Sequence, residues 1–209
     1  MYFRYRSLLV CLALILLIII PQISGCGSRE QGNQDYQKSL KGDAVAGLKN
    51  AYAGDFTRIT IIRGALYKFA VNPQNPQLLG TTIGAVEATV FPEEYELKRF
   101  EQLDNISAEM RKSIISQPML GITLKKRETL NHIYNAVLKP LSANFEKRKQ
   151  ITPQEKDVIN NLINLLDNLA ENYLVLSNKT VDLNSSEAQR SFITIQDTFR
   201  ELQKLELVK

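Results

Sequence analysis

"TPQEKDVINNLINLLDNLAENYLVL", Thr152 to Leu176, is the stretch that decides the fold. Apolar residues recur in it at Ile159, Leu162, Leu166, Leu169, Tyr173 and Leu176, in alternating steps of three and four. Steps of that size line one face of a helix, whereas a half-buried strand alternates at every second residue. Its start is marked by three neighbours: Thr152 is placed to cap, Pro153 takes the first helical position where no N–H is needed, and Glu155 completes a capping box. A helix with one apolar stripe must bury it against other elements, so the rest of the chain has to supply matching stripes.

Working outward, Ala188, Phe192, Ile195, Phe199 and Leu202 form the seam of a last helix that Asn184 and Glu187 open. On the other side, Leu130, Ile133, Val137, Leu141 and Phe145 form a third seam, kinked at Pro140, whose ring displaces the carbonyl four residues back. Phe100, Leu103, Ile106, Met110 and Ile114 form another, ahead of Gln117 and Pro118, with Pro92 and the acids Glu93, Glu94 and Glu96 at its start. Leu79, Ile83, Val86 and Val90 repeat the pattern after the connection "NPQNPQ". Val45, Leu48, Tyr52, Ile59, Ile62, Leu66 and Phe69 follow heptad spacing up to Asn72 and Pro73, with Asp55 the one polar residue on the seam. Gly47, Ala51 and Gly54 lay small residues beside it. These stripes and their short links predict an all-α chain, an antiparallel bundle of about five helical segments. The alternative is α+β, with "RITII" and "LYKFAV" pairing as a small hairpin around residues 57–71 that turns at Gly64.

The chain start has a different grammar. Arg4 and Arg6 precede thirteen apolar residues, Leu8 to Ile20, which Pro21 and Gln22 end, followed by the small residues Ser24 and Gly25. A positive flank, an apolar core and a small-residue site are the three parts of a secretory signal peptide. Crossing the hydrocarbon as a helix takes about 20 apolar residues, so this run is short for a permanent span. Ile23, Ser24, Gly25 and Cys26 then resemble the lipobox of bacterial lipoproteins, an aliphatic and two small residues ahead of a cysteine.

That resemblance implies a diacylglyceryl group on the Cys26 thiol and cleavage after Gly25 by a signal peptidase that recognises Ile23, Ser24 and Gly25. It covers only about the first 26 residues, and no family is recognised in the mature domain. On this reading residues 1–25 are a signal peptide, residues 26–41 carry the lipidated cysteine and the polar stretch "GSREQGNQDYQKSLK" as a flexible tether, and residues 42–209 form the bundle. Two acyl chains hold a protein on a membrane stably where one does not. The expected location is the extracytoplasmic side of the cell membrane, and Gly27 in place of Asp permits an outer membrane in a diderm organism.

Cysteine usage agrees with export. Cys11 lies in the segment to be removed, so the mature chain has a single thiol and no internal disulfide. Both charges lost with residues 1–25 are arginines, so 26 Lys and Arg fall to 24 against 22 acids. A near-neutral mature chain removes the electrostatic argument for nucleic-acid binding.

The remaining candidates read as surface. Asn161, Asn164, Asn168 and Asn172 fall mostly on the outer side in the register of Ile159 and Leu162. His132, the single histidine, has no second imidazole, thiol or helical carboxylate pair in sequence, which predicts no metal centre, no catalytic residue and no cofactor. Glu93, Glu94, Glu96, Glu101 and Asp104 interleave with Lys98 and Arg99 as a charged surface. Lys125, Lys126 and Arg127, and Lys147, Arg148 and Lys149, are candidate contacts for anionic headgroups, but Glu128 and Glu146 beside them predict solvated helix faces. The expectation is a non-catalytic envelope protein, held to the membrane through diacylglyceryl-cysteine and binding an envelope protein partner by a helical face. The alternative is an extracytoplasmic small-ligand-binding or sensory domain.

Overall fold

The computed structural model describes residues 2–89, 112–114 and 117–207, with side chains from Asn33 onward except those of Gln117, Leu120 and Leu124. Its helices are α1 (Tyr2–Val71), α2 (Pro76–Glu87), α3 (Gln117–His132), a π-helical turn (Ile133–Leu138), α4 (Lys139–Arg148), α5 (Pro153–Ser177) and α6 (Ser186–Leu202). Among the described residues there is no strand. The chain is an all-α helical bundle. It divides into two units, Met1–Asp43 and Ala44–Lys209.

In the first unit the backbone is helical from Tyr2 onward. Residues 26–41, expected as a tether, are therefore helical here; Gln and Lys recur in that stretch, and their straight side chains give up little rotamer freedom in a helix. From Asn33 to Asp43 the side chains are exposed or half-buried, Tyr36 among them. The side chains of Ile23, Ser24, Gly25 and Cys26 lie outside the described residues. Among the described residues no helix is long and apolar enough to cross a membrane.

The second unit alternates direction along the chain. Tyr52 of α1 sits 6.3 Å from Tyr173 of α5, and Arg63 pairs with Asp167 at 2.6 Å, so higher numbers meet lower ones and the two helices are antiparallel. Residues 178–185 reverse the chain, and Asn168 of α5 donates to Thr198 of α6 at 3.1 Å. Gln196 donates to the Pro118 carbonyl and Gln203 to Thr129, higher numbers meeting higher, so α6 and α3 run in the same sense. Tyr134 meets Glu87 while Ser142 shares a cavity with Ile83, which sets α2 against the π-turn and α4 in opposite sense.

The core lies along the predicted stripes, except that Val45 and Ile83 are only half-buried. Leu48, Tyr52, Ile59, Ile62, Leu66 and Phe69 of α1 are buried, as are all six seam residues of α5 and all five of α6. Tyr52 packs on Phe192 at 5.9 Å as well as on Tyr173, and the Phe69 and Phe145 rings meet edge-to-face at 5.9 Å. Rings of this size bury more apolar area than any aliphatic residue, at about 25 cal/mol per Å². The seam proposed for 100–114 lies outside the described residues apart from Ile114, which is buried.

The hairpin around 57–71 is overturned, because that segment is continuous helix. Its buried residues are Ile59, Ile62, Ala65, Leu66 and Phe69, a helical period and not a strand's. Burial on that face outweighs the strand preference of the β-branched residues. Thr57 and Thr60 return their hydroxyls to the carbonyls of Ala53 and Phe56, and Gly64 keeps a helical backbone with open space where a Cβ would stand.

Caps close the elements. Thr152 and Glu155 form the reciprocal capping box. Asn75 caps α2 by accepting from the Gln77 N–H, with Pro76 inside the first turn. At α6 the cap is Ser185, one residue later than the sequence suggests, its hydroxyl accepting from the Ala188 N–H, while the Asn184 amide donates to the Ser113 carbonyl.

Candidate functional site

The site builds from the corner between α4 and α5. Helix α4 ends on Lys149, whose backbone is left-handed at φ 57° and whose N–H returns to the Phe145 carbonyl at 2.7 Å. This stops the helix, and Thr152 starts the next three residues on. The corner brings the last turn of α4 over the first turn of α5, where Glu155 is 5 % exposed.

Four donors converge on that carboxylate. The Asn144 amide donates to Oε1 at 3.0 Å and the Arg148 guanidinium donates to the same oxygen. The Thr152 backbone N–H reaches Oε2 at 2.8 Å and its hydroxyl reaches it at 3.2 Å. Burial pushes the Glu155 carboxyl up, but the Thr152, Asn144 and Arg148 hydrogen bonds and the Arg148 charge together outweigh it, and the group is held below its ordinary value. Glu155 is thus a fixed anion with its acceptor sites filled, suited to holding donors and not to carrying protons.

A cavity of about 650 Å³ opens beside it. Pro140, Ala143, Val158 and Leu207 give it an apolar lining, and Asn144, Arg148, Thr152, Gln154 and Glu155 a polar one. The lining depends on the π-turn. Pro140 has no N–H to give the Ala136 carbonyl, and the turn before it widens so that the Lys139 N–H bonds Tyr134, five residues back. The freed Ala136 carbonyl accepts from the Leu207 N–H at 3.2 Å, while the His132 Nε2 meets the Leu205 carbonyl at 3.0 Å. Those two bonds lay residues 205–207 along the kinked helix and bring Leu207 to the cavity edge.

A second cavity, about 260 Å³, is lined by Ile83, Tyr134, Lys139, Ser142, Ala143 and Glu146. The Tyr134 hydroxyl bonds Glu87, and that bond, the adjacent negative charge and burial raise the phenol above its ordinary value of 10.0.

The sequence candidates scatter. His132 is half-buried and engaged by the chain's own C-terminal segment. Asn161 and Asn164 are exposed, while Asn168 is half-buried between Thr198 and Asn172. Lys125 is exposed, but Lys126 is not the solvated residue expected. It is 2 % exposed and pairs with Asp55 at 2.9 Å, the polar position on the α1 seam, because a carboxylate facing a core needs a cation. Arg148, expected on a solvated face, is held by Glu155; Lys147 and Lys149 are exposed. Glu93, Glu94, Glu96, Glu101 and Asp104 lie outside the described residues. Among the described residues no three His, Cys, Asp or Glu side chains gather in a metal-binding group.

The cavity has no counterpart among the sequence expectations. The capping box marks Glu155, but nothing local in sequence joins Asn144 and Arg148 to it. No protein-family model, curated protein or solved structure matches the chain.

Proposed function

We propose that the protein is a lipid-anchored extracytoplasmic lipoprotein of the bacterial envelope, a non-catalytic helical module that binds another envelope component. One observation carries this: the order of Arg4 and Arg6, the apolar run Leu8 to Ile20, and Ile23, Ser24, Gly25 and Cys26. A helical bundle supports the module part of the reading, since its outer helix faces offer extended surfaces to a partner. Leu174 and Ile193, at 52 % and 51 % exposed, are large apolar side chains on such faces.

The test is at the cysteine. Cys26→Ser removes the nucleophile that takes the diacylglyceryl group, so labelled fatty acid should no longer be incorporated and the precursor should stay uncleaved. Cys11→Ser should change neither outcome, because that thiol leaves with the signal peptide. Normal processing and membrane retention of the Cys26→Ser protein would defeat the assignment. In cells carrying the wild-type protein, cross-linking followed by identification of the captured protein should name the partner.

A second reading, a domain that binds a small ligand, is favoured by the 650 Å³ cavity at the α4–α5 corner. Its size falls within the range of about 300–1,000 Å³ typical of small-molecule sites, with an apolar wall and a few polar groups.

A further inference from the structure

We propose that the α4–α5 cavity binds an amphiphilic anion, a short apolar body ending in a single carboxylate or phosphate, with the anion on Arg148 and the body along Pro140, Ala143 and Val158. The inference deepens the second reading and rests on it. It needs neither the anchor nor cleavage after Gly25.

The charge of the cavity selects the sign. Its charged lining residues are Arg148 and Glu155. Glu155 keeps its charge but offers a ligand no open acceptor, since its two oxygens already accept from Asn144, Arg148 and Thr152. Arg148 spends one nitrogen on that carboxylate, while its side chain remains 40 % exposed at the cavity. A guanidinium carries five N–H donors in a planar fork, so one bond to Glu155 fixes the plane and leaves the others for a second anion. Lys147, Lys149 and Lys156, all exposed, flank the lining residues in sequence against the exposed acids Glu146 and Asp157, which keeps the corner net positive. A cation at this site would meet Arg148 without a free carboxylate to receive it.

The wall selects the body. Pro140, Ala143, Val158 and Leu207 present carbon to the cavity. An apolar segment gains roughly 0.8 kcal/mol for each CH₂ it buries there. An inorganic anion would leave that wall wet, and a neutral alcohol would leave Arg148 to solvent. Only the two together use the whole surface.

The experiment uses the full chain in phosphatidylcholine nanodiscs, labelled with a photoreactive octanoate carrying a diazirine at its far end, and mapped by peptide mass spectrometry. Labelling should fall on residues 140–158 and on Leu207. Unlabelled octanoate or octyl phosphate should suppress it at least tenfold at concentrations where 1-octanol and inorganic phosphate do not, and the stronger of the two competitors identifies the head group. Val158→Trp, a half-buried position that fills the cavity and leaves the Glu155 contacts alone, should lower labelling at least tenfold with an unchanged melting temperature. Arg148→Gln should erase the advantage of octanoate over octanol. Equal competition by octanol, labelling spread outside these residues, or undiminished labelling in a folded Val158→Trp protein would overturn the proposal. The octanol comparison is made on the wild-type chain and stands even if a variant does not fold. Loss of this binding with fatty-acid incorporation at Cys26 intact would remove the ligand reading and leave the lipoprotein reading standing.

Discussion

Glu155 is tied both to its own helix start and to the end of the helix before it, and its ionisation couples the two. Its folded pKa is depressed below the ordinary 4.5, so its contribution is complete above that value and is lost as pH falls through the lower folded value. Glu155→Gln should cost about 2 kcal/mol at neutral pH, from a weakened cap and lost charge-assisted bonds. Urea unfolding at a series of pH values should show the gap between wild type and variant closing only below the ordinary carboxylate range. On the same helix, Leu166 and Leu169 are fully buried and Asn164 is exposed. Each leucine changed to Ala should cost about 2–5 kcal/mol, whereas Asn164→Ala should stay under about 0.5 kcal/mol. Equal losses would refute the register. At this scale the sequence is legible wherever a residue acts through neighbours three or four positions away, as Thr152 and Glu155 do. It is silent on Arg148 and Asn144, since their meeting with Glu155 depends on how sharply the Lys149 corner folds back.

Within the second unit, helix α1 is fastened to its neighbours at successive levels by different chemistry. Lys49 donates to the Lys179 and Val181 carbonyls at 2.9 and 2.5 Å, Asp55 pairs with Lys126, and Arg63 pairs with Asp167. The Asp55 and Lys126 side chains are 2 % and 3 % exposed, which makes their pair unlike the surface one at Arg63. Asp55→Leu alone takes the carboxylate away from a buried ammonium and from Arg58, 3.7 Å away, and should cost about 3–5 kcal/mol, while Asp55→Leu with Lys126→Leu should recover most of the loss, since buried ion pairs seldom outperform apolar replacements. A double-mutant cycle read by urea unfolding checks this, and additive losses would contradict it. The element itself is readable from heptad spacing, and Asp55 stands out on its seam. Its partner is not, because Lys126 sits between two other cations and charge runs look alike whether they face solvent or core. The hairpin alternative for 57–71 arises from the same ambiguity: Ile and Thr favour strands in isolation, and only the buried positions show which period won.

For the molecule as a whole, a fragment from Gly27 onward should fold alone and give a circular dichroism spectrum dominated by helix; a strong strand signal would contradict the bundle. The fold class is accessible from sequence because each segment repeats its apolar residues at a helical step, while the cavity is not, since its walls come from positions 140–158 and 207 joined by tertiary packing. The π-turn bears on both. Ile133, Val137, Leu141 and Phe145 are spaced by four throughout, and in a regular helix each such step overshoots a full turn by about 40°. Three steps would swing Phe145 through about a third of a circle from Ile133, yet both are buried. The widened turn absorbs that overshoot, so it acts as a phase corrector: one residue taken up there resets the angular position of everything C-terminal to it. Deleting a single residue there, such as Asn135, should return the helix to regular winding with Ile133 and Phe145 eleven residues apart, about 20° from three whole turns, and so leave Phe145 on Phe69 and Arg148 on Glu155, whereas regular winding at unchanged length would rotate both away and abolish the cavity with no side chain of the site itself altered.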